Sequence, residues 1–303
     1  MAAGKQLDKM LEELRRATGL PVVLENVPEG GDEDAAGRVG MLLAAWRDRY
    51  DRGGFLKMLL SGETAGRAAA REAARFHIPA EGRRRIYAVE CADGGADAGL
   101  KVLKAMFIRR SGDLAEAVDE NRLILIRPEE GDDPEEARSL ACTVADMLGA
   151  EAMVSARVGY ADPVEELDEF AAAYRDACTA LEIGKLFYSG ESVFAYSGLG
   201  LGRIVYDLPE QTCLLYLKEV FGDGTGPEFD GETEALINAF YANNLNISEA
   251  ARQLYLHRNT LVYRLEKLRQ QTGLDLRNFE DAEKLNLARM ISMRLRAEES
   301  AKE

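Results

Sequence analysis

NISEAARQLYLHRNTLVYRLEKL, residues 246–268, decides how this chain is read. Asn246 is a residue type whose side-chain oxygen satisfies the unpaired N–H groups at a helix start. Glu249, three residues on, stands at the capping-box position, so a helix is predicted from Ile247. Ala250 and Ala251 give that helix a face small enough for close packing. Tyr255–His257 turns the chain, and Leu261, Leu265 and Leu268 then recur at spacings of four and three, which puts one apolar stripe on a second helix. Two short helices that share a small core across a tight turn make a helix-turn-helix.

The stripe leaves Arg258, Asn259, Tyr263 and Arg264 off the buried side. Thr260 lies near the start of the second helix, where recognition-helix residues meet base edges in the major groove. Arg pairs with guanine and Asn with adenine, each worth about 1–3 kcal/mol of discrimination. Arg252, Tyr263 and Lys267 suit phosphates instead. With His257, which opens the run HRNTLVYRL, the candidate DNA-binding set is Arg252, His257, Arg258, Asn259, Thr260, Tyr263, Arg264 and Lys267. The plainer alternative is an amphipathic helix pair with a solvated basic face. The polar and basic residues crowded at the start of the second helix, and a turn of helix-turn-helix length, weigh against it.

Charge sharpens the contrast. The formal net charge of the chain is -15, and an evenly acidic surface repels a polyanion. Between Ala251 and Gln271, however, stand Arg252, Arg258, Arg264, Lys267 and Arg269 against the single acid Glu266. A local basic face survives on an acidic protein.

At 303 residues the chain has room for about two domains. Apolar residues at 47% and charged ones at 30% are globular proportions that leave no low-complexity tract. Cys91, Cys142, Cys178 and Cys213 are widely spaced with no CxxC pair, as reduced thiols are. They and the two histidines, His77 and His257, offer no zinc site, so neither metal nor cofactor is expected. His77, in RFHIPAEG, reads as a loop or helix end. The first residues mix charge into their apolar positions and no stretch reaches ~18 apolar residues, so no export signal or membrane span is expected and the location implied is cytoplasmic.

Upstream, Leu7, Met10, Leu11 and Leu14 predict a helix over 5–17, stopped by Gly19 before a strand-like run at Pro21–Leu24. VPEGGDEDAAG, residues 27–37, reads as a loop, and a helical stretch over 37–75 has its break at Gly53 and Gly54, a candidate domain boundary. From Arg84 the pattern changes. RRIYAVEC is a strand, DAGLKVLKAMFIRR a helix, and DLAEAV with NRLILIRP a hairpin turning at Asp119 and Glu120. A helix over 134–149, a strand VSARVGY and a long helix over 163–184 follow. This is an α/β order, with a mixed sheet covered by helices. After Tyr196 the chain reads as helical, interrupted at 222–232. No internal repeat is evident.

Residues 232–293, with AARQLYLHRNTLVYRLEKLRQQTGLDLRNFEDAEKLNLA, resemble the C-terminal domain of the purine-catabolism and carbohydrate-diacid regulator (PucR) family. One departure is the absence of a turn glycine, since Tyr255 and Leu256 occupy that place. The region from Phe55 to Gly202, through FLKMLLSGE, NRLILIRP and YRDACTALEIG, is similar to the degenerate GGDEF-like (cyclase-like) domain that precedes the helix-turn-helix in that family. The resemblance implies an N-terminal segment at 1–52, a candidate remnant of a sensor domain, a GGDEF-like domain at 53–202, a helical linker at 203–231 and a DNA-binding domain at 232–303. It implies a transcription regulator, an activator of a catabolic operon responding to a small-molecule effector, and not an enzyme. Because one helix-turn-helix reads few base pairs, a homodimer on an inverted repeat is expected.

The competing hypothesis is a nucleotide-binding or cyclase-type enzyme with a helical protein-contact tail. It needs a glycine- and acid-bearing turn on the central hairpin, where this chain has VDENR. Gly30-Gly31-Asp32-Glu33-Asp34 carries such letters, but ahead of the domain, where an acidic surface loop is the better reading. GLGLG, residues 198–202, lacks the lysine and the strand–helix context of a phosphate loop and is read as a loop leading into a helix.

Overall fold

The computed structural model describes residues 2–18, 21–24, 32–50, 52–107, 112–131, 133–188, 190–222, 226 and 228–300. These fall into two compact units, Met1–Leu181 with Ser192–Ser197, and Glu182–Glu191 with Gly198–Glu303.

In the first unit, Leu123, Ile124, Leu125 and Ile126 are all fully buried. A strand that is apolar on every residue must be covered on both faces, and it is. The strand β1 (Glu81–Cys91) lies at the centre of a sheet with β2 (Leu114–Ala117), β3 (Arg122–Pro128), β4 (Ala156–Tyr160), β5 (Val164–Glu166) and β6 (Val193–Ala195) in the order β2-β3-β1-β4-β6. β3, β4 and β5 run antiparallel to β1, β2 runs antiparallel to β3, and β6 is parallel to β4. The mixed α/β sheet predicted for this region is therefore present.

On one face Tyr87, Val89, Leu123, Leu125 and Val158 pack with Leu103 and Phe107 of α5 (Ala96–Phe107) and with Ala141, Val144 and Leu148 of α6 (Pro134–Glu151). On the other, α7 (Phe170–Phe187) crosses β4 at Gly159. A Cβ there would stand 2.2 Å from the carbonyl oxygen of Ala177, so only glycine admits the helix. Arg85 of β1 is buried, and its guanidinium forks onto Glu129, with Nε to Oε1 at 2.6 Å and Nη2 to Oε2 at 3.1 Å. Its Nη1 donates to the Ala161 carbonyl at 2.8 Å. A buried charge persists only when paired in this way.

Several local expectations are corrected. The helices α1 (Ala2–Thr18) and α2 (Asp32–Tyr50) share a small core in which Leu7, Leu11 and Leu14 meet Val39 and Leu43. Pro21–Leu24 forms no strand. Val22 and Leu24 rest on that helical core, and Arg15 Nε donates to the Val22 carbonyl at 2.7 Å, so the segment has a partner without joining a sheet. Gly19 and residues 27–31 lie outside the described residues. Asp32–Asp34 open α2 instead of lying in a loop, and Asp34 pairs with Arg38 one turn on at 2.8 Å.

The helical stretch is divided next to Gly53 and Gly54, since α2 ends at Tyr50 and the next helix begins at Arg52. The two glycines lie in the first turn of α3 (Arg52–Ser61), where burial of Phe55, Leu56, Leu59 and Leu60 outweighs a cost of about 1 kcal/mol per glycine. A second interruption, not foreseen, falls at 62–65, with Gly62 at φ +79°, before α4 (Gly66–Arg75). His77 follows α4 in a turn at φ +58°, in keeping with its reading as a helix end.

The helix expected from 163 starts at Phe170. Val164–Glu166 pairs with β1 instead, and Glu166 and Glu169 form a reciprocal capping box just beyond it. β6 was not legible, because three residues are too few to show alternation.

The second unit contains α8 (Leu201–Asp207), α9 (Glu210–Phe221), α10 (Gly231–Ala242), α11 (Ile247–Gln253), α12 (Arg258–Thr272) and α13 (Phe279–Ser300). GLGLG leads into α8 with Gly200 at φ +52°. Leu236, Ile237 and Phe240 of α10, Ala250 and Ala251 of α11, Leu261, Leu265 and Leu268 of α12, and Ala282 and Leu285 of α13 form one core. Helices α8 and α9 rest on α13. Arg294 Nη1 reaches the carbonyls of Val205 at 2.7 Å and Leu208 at 2.5 Å, satisfying acceptors at the end of α8.

Candidate nucleic-acid interface

Asn246 caps α11 as its residue type predicts, its Oδ1 accepting from the backbone of Ser248 at 3.0 Å and Glu249 at 3.3 Å. The carboxylate of Glu249 pairs with Arg252 one turn along, so the capping box foreseen there is not the arrangement adopted.

The turn is closed by two bonds, Leu256 N–H to the Ala251 carbonyl at 2.8 Å and Tyr255 N–H to the Arg252 carbonyl at 3.1 Å. This is the six-to-one and five-to-two pair of a Schellman motif, with Tyr255 in the left-handed position at φ +54° where glycine is usual. The backbone geometry of a glycine turn is thus kept without the glycine, and the Tyr255 ring is left 97% exposed.

His257 is the N-cap of α12. Its Nδ1 accepts from the Asn259 backbone at 3.2 Å, so a neutral ring carries its proton on Nε2, the nitrogen left to meet a partner. Histidine is not among the preferred cap residues, which is why sequence rules cast it only as a contact.

Leu261, Leu265 and Leu268 are buried along one side of α12, and Arg258, Asn259, Thr260, Tyr263 and Lys267 stand exposed. The remaining cations have local partners. Arg252 is held by Glu249, Arg269 by Glu266 at 3.4 Å, and Arg264 by Glu232 at the start of α10 at 3.1 Å. Among the described residues no carboxylate pairs with Arg258 or Lys267.

Beside Arg264, Asp230 caps α10 by accepting from the Thr233 N–H at 2.8 Å. Hydrogen bonds from Thr233, side chain first and backbone second, hold the Asp230 carboxyl below the ordinary range, and Lys267 and Arg264 add to the effect. Arg264 is therefore half-buried and engaged, and reaching a nucleic acid requires it to leave Glu232. Nothing in the local sequence signals this pairing, because Glu232 lies on another helix.

The hairpin of the first unit is closed on itself. Val118 N–H donates to the Arg122 carbonyl at 2.8 Å, Asp119 Oδ1 accepts from the Asn121 N–H at 2.8 Å, and Asn121 Oδ1 accepts from the Gly94 N–H at 2.9 Å. Among the described residues no group of three or more His, Cys, Asp or Glu is placed to hold a metal ion, and no helix is long and apolar enough to cross a membrane.

Comparison with known proteins matches both regions. Residues 235–291 match the PucR C-terminal helix-turn-helix domain and residues 61–183 match a GGDEF-like domain. The chain is 28% identical over 131 residues to the purine catabolism regulatory protein of Bacillus subtilis (strain 168), covering 43% of this chain and 25% of that protein. It is 29% identical over 111 residues to the carbohydrate diacid regulator of Escherichia coli (strain K12), covering 37% and 29%. It is 24% identical over 138 residues to the proline-responsive transcriptional activator PutR of Bacillus subtilis (strain 168), covering 44% and 34%. The matched part thus spans between a quarter and about a third of each of these relatives.

Proposed function

We propose, from the premise that this chain belongs to the PucR family by its GGDEF-like domain and C-terminal helix-turn-helix, that it is a sequence-specific DNA-binding transcription regulator. In this reading residues 232–303 bind DNA, 203–231 link, and 53–202 form a regulatory and not a catalytic domain. The observation that carries it is the outer face of α12, where Arg258, Asn259, Thr260, Tyr263 and Lys267 are exposed beside a core of three buried leucines. Arg258, Asn259 and Thr260, at the helix start, are assigned to base edges. Arg252, Tyr263 and Lys267 are assigned to phosphates, with Nε2 of His257 donating beside them. Arg264 joins the interface when it releases Glu232.

The operator is an inverted repeat, bound by a homodimer whose recognition helices enter successive major grooves about 34 Å apart. The relatives named for purine catabolism, carbohydrate diacids and proline support activation of a cytoplasmic catabolic operon by a small metabolite.

The test is selection of bound fragments from genomic DNA, followed by titration of a recovered site at two salt concentrations. Enrichment of an inverted repeat, lost in Arg258→Ala and Asn259→Ala, is expected. No enrichment at either salt concentration, with the chain folded, would sink the reading.

A further inference from the structure

Helices α8 and α9 leave large aliphatic side chains in water on their outer faces. Their inner residues, Gly202 and Val205 on α8 and Cys213 and Leu217 on α9, are buried. Their outer residues include Ile204 at 61% exposure, Leu214 at 47% and Leu215 at 57%, whereas Leu201 lines a cavity with Tyr216 and Tyr241. Leu214 and Leu215, adjacent on one short helix, are more than the scattered single exposures every surface tolerates.

The charges on α9 say what covers them. Glu210 and Lys218 are both exposed and stand four residues before and after Leu214, so all three share one stripe of the helix. Among the described residues neither is drawn into an ion pair. Laying a second α9 antiparallel on the first, with a two-fold axis through Leu214, brings Glu210 of each copy opposite Lys218 of the other, twice over. A parallel pairing sets Glu210 against Glu210 and Lys218 against Lys218. An antiparallel pairing slipped by one residue puts Glu210 against Glu219. Only the axis through Leu214 satisfies both charges, and self-complementarity about an axis is what an isologous interface requires.

We propose that the outer face of α9 is where a second copy of this chain docks, with α9 antiparallel to its counterpart, Leu214 on the two-fold axis and Leu215 beside it. The proposal deepens the DNA-binding reading and rests on it for the use of the pair, which is to hold two recognition helices on one operator. The interface itself is read without DNA.

The test follows self-association of the full chain by sedimentation in the absence of DNA. Leu214→Glu is expected to shift the protein to monomer with its helical and sheet content by circular dichroism unchanged, and with a melting temperature that no longer depends on protein concentration. Glu210→Lys and Lys218→Glu are each expected to weaken self-association by roughly tenfold at low salt, since two attractions become two repulsions. Mixing these two single variants, or combining both changes in one chain, is expected to restore it. Leu214→Cys, lying on the axis, is expected to form a disulfide with its own copy under mild oxidation faster than Gln211→Cys.

A wild-type chain that stays monomeric at every concentration, or a dimer that ignores Leu214→Glu and the charge exchange, overturns the proposal. A dimer that obeys the exchange but binds no operator leaves this interface standing and removes the DNA-binding reading instead.

Discussion

Two short polar segments in this chain are built alike and used differently. At the α11–α12 turn the cap is made by His257, and the side chains beyond it, Arg258, Asn259 and Thr260, face solvent. At the β2–β3 turn the polar side chains fold back. Asp119 accepts from Asn121, and Asn121 accepts from Gly94. Where local hydrogen bonds consume the polar groups, the segment is structural. Where dedicated caps satisfy the backbone and leave other polar groups outside, the segment can recognise a partner. The cations of the helix-turn-helix are graded in the same way, since Arg269 is held by Glu266, Arg252 shares its charge with Glu249 while remaining exposed, and Arg258 makes no ion pair among the described residues.

The contrast breaks most readily at the core that supports the exposed face. Leu265 is 1% exposed among Leu236, Ile237, Phe240 and Leu285. Leu265→Ala is expected to cost the second unit about 2–5 kcal/mol and to abolish DNA binding, with the first unit's β-sheet signal melting as before. A single transition lowered as one block would show that the two units do not unfold independently.

Next in size are two exposed cations of α12, Arg258 and Lys267, which should differ from each other. Arg258→Ala should lose about 1–3 kcal/mol on the preferred site and little on random DNA. Lys267→Ala should weaken all sequences alike and flatten the dependence of log affinity on log salt by about 0.9. Indistinguishable salt slopes and specificity ratios for the two would erase the division of labour between them.

The structural turn gives the third. Asn121→Ala removes the bond to Gly94 and frees the hairpin end. A loss of about 0.5–1.5 kcal/mol in the stability of the first unit is expected, with operator affinity unchanged when the chain is folded. A change in operator affinity without a change in stability would mean that the hairpin turn takes part in recognition.

Legibility in the sequence followed the same division. The sheet and the helix-turn-helix were readable because their signals are periodic and repeated over several residues, as in the run Leu123–Ile126 or the spacing of Leu261, Leu265 and Leu268. The exposed face of α12 followed from that spacing, since fixing the buried side of a helix fixes the other. What escaped were features decided by distant partners or by too few residues. Glu232 reaches Arg264 from another helix, and Val193–Ala195 is too short to alternate. Gly53 and Gly54 marked the α2–α3 boundary only to within a few residues, because a local cost of about 1 kcal/mol per glycine is less than the burial of Phe55 and the leucines beside it, which draws both glycines into α3.

The smallest expected effect sits at Tyr255, where sequence and turn geometry disagree. A non-glycine residue held at φ +54° carries a backbone cost of about 1–2 kcal/mol. With its ring 97% exposed, Tyr255 gains almost nothing from packing to offset this. Glycine would remove the steric cost but add about 0.5–1 kcal/mol of unfolded-state entropy. Tyr255→Gly is therefore expected to stabilise the second unit by no more than about 1 kcal/mol, read as a small rise in melting temperature. Stabilisation with operator affinity intact would make Tyr255 a mere occupant of the turn. Stabilisation with weakened affinity for all sequences would show that the ring is kept, against its backbone cost, to lie on the DNA backbone. Destabilisation would show that the left-handed position is not strained by its side chain, and the analogy with a glycine turn would then fail.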